Sequence, residues 1–178
     1  MAESALRSAL IVAVPEAGST VEQWRERTCS DKPSIGIPAH VTLLFPFVPA
    51  STIDDALVTE LSALFRGFAS FDFELREARR WPEMLYVAPE PPDPFVELTE
   101  AIVARYPDYP PYEGVFDSIV PHLTVAHGDA SRLGQAEIDL LGSLPIAVMV
   151  REVVLLEETV PDWGRWHARA RFPLQPRA

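Results

Sequence analysis

Two short segments of this chain carry one pattern: Pro38-Ala39-His40-Val41-Thr42-Leu43 and Pro121-His122-Leu123-Thr124-Val125, with His122 lying 82 positions after His40. Each sets a His and a Thr two residues apart inside an apolar run. Side chains two apart on a β-strand share a face, so each segment reads as a strand presenting an imidazole and a hydroxyl on the same side. Brought together, two such strands offer two imidazoles and two hydroxyls to one small anion.

The rest of the chain supplies a setting for both. Ala9 to Val14 reads as a first strand. Thr20 and Gln23 form a capping box for a short helix with Val21, Trp24 and Thr28 at helical spacing. The prolines and glycine of Ser30 to Pro38 make a loop into the first His-Thr strand, His40 to about Phe45, which Pro46 and Pro49 end. Ser51 caps a second helix through Ile53, Leu57, Leu61, Leu64 and Phe68. Phe71 to Arg76 and Met84 to Val87 read as a hairpin across Arg80-Trp81-Pro82-Glu83, and Asp93-Pro94 opens a third helix that carries Phe95, Leu98 and Ile102 inward. A Tyr- and Pro-rich loop, Tyr106 to Tyr112, leads to the second His-Thr strand at Val120 to Ala126. A fourth helix follows over Asp129 to Leu141, then a β-rich run Ile146 to Leu156 broken by Arg151-Glu152, and a closing strand Trp166 to Phe172. The order is β-α-β-α-β-β-α-β-α-β-β, with one His-Thr strand in each of two similar halves.

With 178 residues, nearly half of them hydrophobic, the chain is expected to form one domain spanning 1–178. Its 15 Lys and Arg stand against 26 Asp and Glu, a net charge of −11 that repels long polyanions and leaves room for a single phosphate group bound by neutral donors. Cys29 is the one cysteine, which excludes an intrachain disulfide and a Cys-rich zinc site. The apolar run at Ala9 stops at Pro15-Glu16, too short to span a bilayer, so a cytoplasmic protein without membrane contact is expected.

The two motifs resemble the signature of the two-histidine (2H) phosphoesterase superfamily, and most closely its bacterial branch of 2′-5′ RNA ligases and RNA 2′,3′-cyclic phosphodiesterases. The resemblance implies an α+β, bilobal, pseudo-twofold fold with two antiparallel-rich sheets, flanking helices and a central cleft. It implies His40 and His122 as catalytic residues and Thr42 and Thr124 as phosphate-binding residues, with His122 as base toward water and His40 as acid. Relatives acting on RNA ends often carry a basic residue shortly after the second motif, where this chain has His127-Gly128.

Hydrolysis of a cyclic phosphodiester needs a base for the attacking water and an acid for the departing ribose oxygen, and histidine titrates where it serves as either. The resulting expectation is a monomeric, metal- and cofactor-independent phosphodiesterase acting on a nucleotide or short RNA with a cyclic or 2′-linked phosphate. Reversal of the same steps would make it a weak 2′-5′ ligase. Two other readings stay open: a non-catalytic module that binds phosphorylated nucleotides or RNA ends, and an acidic interaction protein with incidental motifs. A two-histidine metal site is a third reading of the same residues, although neither motif carries further ligands at fixed spacing. Weaker substrate-binding candidates are His127, the cationic strand face His167, Arg169 and Arg171, and the pair Arg79-Arg80. Among the aromatic residues Phe47, Trp81, Tyr86, Tyr109 and Tyr112, Tyr86 is favoured to stack on a base.

Overall fold

The computed structural model describes residues 6–28, 36–115, 118–160 and 164–177. Cys29 and most of the Ser30–Pro38 connection lie outside the described residues. Twelve principal elements follow in order: β1 (Ser8–Ala13), α1 (Gly18–Thr28), β2 (His40–Leu44), α2 (Asp55–Phe65), β3 (Phe71–Trp81), β4 (Met84–Glu90), α3 (Asp93–Arg105), β5 (Leu123–His127), α4 (Ala130–Leu141), β6 (Ile146–Val150), β7 (Glu152–Val160) and β8 (Arg165–Pro173). The Ile146 to Leu156 run is therefore two strands, divided at Arg151. Asp129 caps α4 by accepting from the Arg132 amide. In α2 the cap is Asp54, which accepts from Leu57, and Ser51 sits in a short 3-10 turn before it. Asp93 lies in the first turn of α3, after Pro92, instead of capping it.

The strands form one sheet in the order β6-β3-β4-β5-β2-β1-β7-β8, antiparallel throughout. This corrects the expectation of two sheets within an α+β fold. The join is the pairing of β2 with β5 at Val41 and Leu123, which closes two groups of four strands into a continuous surface. Both His-Thr segments meet at that seam.

A single paired position is a thin hinge, and packing reinforces it. The unit β4-α3-β5 on one side repeats β1-α1-β2 on the other, and the connecting helices cross over: α1 packs on β5 while α3 packs on β2. Val21 and Trp24 of α1, and Phe95, Leu98 and Ile102 of α3, are buried in one core with Val41, Leu43, Leu123 and Val125. Burying a side chain of that size stabilises by roughly 1.5–3 kcal/mol, so these few residues outweigh the missing ladder bonds. The Thr99 hydroxyl on α3 bridges to the Leu43 carbonyl at 3.1 Å.

Alternation then decides what the other face carries. Leu10, Val12, Val41, Leu43, Leu85, Val87, Leu123 and Val125 point into the helix-covered core. Their neighbours Ile11, His40, Thr42, Tyr86, His122 and Thr124 point away from it, beside a small second cluster of Ala9, Ile11, Val154, Leu156 and Trp166.

Candidate active site

Extending the antiparallel register at Val41 and Leu123 by one residue each way sets His40 opposite Thr124 and Thr42 opposite His122. The four side chains occupy the corners of a square with the histidines on one diagonal. Diagonal neighbours in such a ladder are roughly 7–8 Å apart. All four residues are half-buried, while Val41 and Leu123 between them are fully buried.

Both imidazoles are anchored alike. His40 Nδ1 lies 2.8 Å from the Pro38 carbonyl, and His122 Nδ1 lies 2.8 Å from the Val120 carbonyl. A carbonyl only accepts, so each Nδ1 carries hydrogen, and Nε2 is the atom left to take or give a proton.

Their surroundings differ. Burial, the Arg25 charge and the His122 charge lower the His40 pKa to about 4, against the opposing effect of the Pro38 carbonyl. The Arg25 guanidinium on α1 also donates to that carbonyl at 2.6 Å. His122 is lowered as well, by burial and by the charge of His127, with the Val120 carbonyl acting against it. Near neutrality both imidazoles favour the neutral form, His40 the more strongly.

A family model matches residues 13–162, a span that contains both His-Thr segments. The chain belongs to the 2′-5′ RNA ligase superfamily. The fold agrees with solved crystal structures. E. coli LigT complexed with 3′-AMP superposes with a TM-score of 0.60 at 17% identity, over 97% of this chain and 99% of LigT. The phosphate complex of the same E. coli protein gives 0.56 at 17% identity, with the same coverage. TT0787 of Thermus thermophilus gives 0.56 at 18% identity, over 97% of this chain and all of TT0787. Comparison with curated protein sequences returns no match.

In this 2′-5′ RNA ligase superfamily protein, the weaker sequence candidates fall into two groups. Beside the square, the Trp81 and Tyr86 rings lie 4.3 Å apart, and both meet the His122 ring edge-on, at 4.8 and 5.8 Å. Tyr86 is 6% exposed and Trp81 is 36% exposed, so the accessible ring face belongs to Trp81, with Tyr86 supporting it from below. Tyr112 hydrogen-bonds through its side chain to Thr42, and its amide donates to the Phe45 carbonyl at 2.7 Å. It adopts φ +49°, a left-handed conformation that a tyrosine holds only where its surroundings enforce it. Burial raises its pKa, so the phenol stays protonated near neutrality.

His127, a weaker binding candidate just beyond the second His-Thr segment, would sit in a solvent-exposed loop if that strand ended at Ala126. It is instead the last residue of β5, and the pairing of Tyr86 with Thr124 but Leu85 with Ala126 inserts one extra residue before it. That bulge restores His127 to the face of Thr124 despite their odd spacing.

The remaining candidates have other partners. Phe47 is buried against Tyr106 and Tyr109. His167 and Arg169 lie on Glu157, at 2.9 and 3.8 Å, and Arg171 lies on Glu152 at 2.5 Å. A register shift in β7-β8 between Leu155 and Leu156 breaks the alternation that would align those three cations. Arg79 pairs with Glu90, and Arg80 pairs with Glu137 on α4. Among the described residues, no group of three His, Cys, Asp or Glu side chains is arranged to hold a metal ion, and no helix is long and apolar enough to cross a membrane.

Proposed function

We propose that this protein is a metal-independent phosphodiesterase that hydrolyses a 2′,3′-cyclic phosphate, or a related 2′-linked phosphodiester, of a nucleotide or short RNA. The observation that carries the reading is the square of His40, Thr42, His122 and Thr124 across the β2-β5 seam, with both histidines held in the same tautomer. The two four-stranded halves then act as lobes of one domain that grip the phosphate between them.

Neutral His40 takes a proton from water through Nε2 as the water oxygen bonds to phosphorus. Protonated His122, on the opposite corner, delivers its proton to the ribose oxygen as its bond to phosphorus breaks. Thr42 and Thr124 donate to the non-bridging oxygens, where negative charge grows. This order reverses the one that the family resemblance implies. A group held near a pKa of about 4 is a poor reservoir for the proton that the leaving oxygen needs, so His40 suits the base.

The pH profile follows from those values. Below about 4 His40 is protonated and no base remains; above the His122 pKa, which lies below the usual imidazole value of 6.5, the acid is lost. The profile of kcat/KM is therefore expected to be bell-shaped, with its maximum on the acid side of neutrality. A maximum above pH 7 would contradict the role assignment.

Nucleotides enter as the ligand class because E. coli LigT has been crystallised with 3′-AMP, ATP and NADP+. Trp81 offers the base a ring beside His122, and base-aromatic stacking is worth roughly 1–3 kcal/mol. Trp81→Ala is accordingly expected to raise KM about tenfold with a smaller change in kcat, whereas a purely structural Trp81 would change thermal stability and leave the ratio of the two constants alone. The test of the function itself is a panel of 2′,3′-cyclic mononucleotides, ADP-ribose 1″,2″-cyclic phosphate, 2′-5′ dinucleotides and RNA ends, assayed with and without EDTA. Turnover of at least one that survives EDTA supports the reading, and binding across the panel without product would favour a nucleotide-binding module.

A further inference from the structure

Arg25 and His40 share one acceptor. Arg25 Nη1 donates to the Pro38 carbonyl at 2.6 Å, with the Ile37 carbonyl at 3.4 Å, and His40 Nδ1–H donates to the same Pro38 oxygen at 2.8 Å. The guanidinium is thus one carbonyl away from the imidazole, fixed by a helix that the packing on β5 holds in place. At the Val120 carbonyl that anchors His122, the hydrogen bonds found among the described residues include no cationic donor. The two otherwise equivalent halves differ at this point.

We infer that Arg25 is a positioning residue that distinguishes the two histidines: through the shared Pro38 carbonyl it orients His40 and disfavours the imidazolium, committing His40 to proton acceptance and leaving proton donation to His122. The inference rests on the acid-base reading above for its consequence in catalysis, but the electrostatic claim stands on its own. When His40 gains a proton at Nε2, positive charge spreads to Nδ1–H, which points at a carbonyl already polarised by a guanidinium. A like charge so near disfavours the protonated ring. His122 on β5 acts on His40 in the same direction as Arg25, and two residues along β2 the Thr42 side chain is hydrogen-bonded to Tyr112. β1 places only Ala13 at the position paired with His40.

The decisive measurement is an NMR titration of the histidine rings in the full chain for the parent, Arg25→Gln and Arg25→Lys, with thermal melts alongside. Gln retains a donor for the Pro38 carbonyl and drops the charge; Lys retains the charge without the planar fork. His40 is expected to titrate roughly one unit higher in Arg25→Gln, to return near the parent value in Arg25→Lys, and His122 to move much less. An unmoved His40 in Arg25→Gln overturns the inference, as does an equal rise for both histidines, which would mark a general loosening of the site. If Arg25→Gln does not fold, Arg25→Lys decides: His40 must keep its low titration, and a rise there overturns the claim. Where the panel finds a substrate, the acid limb of kcat/KM in Arg25→Gln should move up with the His40 titration. A moved titration in a protein that turns over no substrate retains the Arg25 assignment and removes the phosphodiesterase reading; normal turnover with an unmoved titration does the reverse.

Discussion

Alanine at His40 or at His122 is expected to lower turnover of a 2′,3′-cyclic nucleotide by roughly 10²- to 10⁴-fold, the usual contribution of one positioned proton transfer. The fold should survive both changes. Without the His40 ring, the Pro38 carbonyl still accepts from Arg25, and no buried acceptor is orphaned. Without the His122 ring, Trp81 and Tyr86 lose their edge-on contacts, worth about 0.5–1.5 kcal/mol each, against a total stability of roughly 5–15 kcal/mol. The double variant should be little worse than the poorer single one, because in the proposed mechanism acid and base act in one displacement and removing either leaves the other with half a reaction. Rates for the two single variants and the double, each with a circular dichroism spectrum, check this. A double variant as active as the parent would sink the assignment.

What the sequence revealed, and what it concealed, divides along one physical line. Alternation with period two made both His-Thr strands legible, because Val41, Leu43, Leu123 and Val125 each need a buried side and thereby fix where His40, Thr42, His122 and Thr124 point. The helices were readable from apolar stripes: Leu133, Ala136 and Leu140 are the buried residues of α4, while in α2 the expected Ile53 to Phe68 stripe runs past both ends of the helix and the buried pair is Leu61 and Phe65. Long-range pairing was not. Nothing local says that Val41 meets Leu123, yet that one pairing turns two expected sheets into one and assembles the square. Bulges were hidden for the same reason: an extra residue in β5 turns His127 to the Thr124 face, and a shift in β7-β8 undoes the alignment of His167, Arg169 and Arg171. Residues that serve the site from other elements carried no periodic signal at all. Arg25 reads as one more cation on a helix, Trp81 as a hairpin end, and Tyr112 as part of a proline-rich loop, until the fold brings them to Pro38, His122 and Thr42.

The threonines provide the sharper test of transition-state binding. Valine is nearly the same shape as threonine and is at least as good a strand residue, so at a merely structural position Thr→Val is neutral or stabilising. Under the proposed mechanism, at Thr42 and Thr124 it removes a donor aimed at charge that develops on the phosphoryl oxygens, and loss of one such donor costs roughly 10²–10³ in kcat. Thr124→Val is expected to show that loss with unchanged stability, since among the described residues the Thr124 hydroxyl has only a weak contact with Met84 Sδ at 3.8 Å to give up. Thr42→Val is expected to show a similar kinetic loss together with a destabilisation of about 1 kcal/mol, because the half-buried Tyr112 hydroxyl loses its bond to Thr42. Tyr112→Phe should reproduce that bond's share of the stability while retaining most of the rate, which separates the hydroxyl proposed to touch the phosphate from its hydrogen-bond partner. Serine at either threonine restores the donor and should recover most of kcat. If valine at both positions leaves kcat intact, the hydroxyls are strand formers alone, and the square reduces to its two histidines.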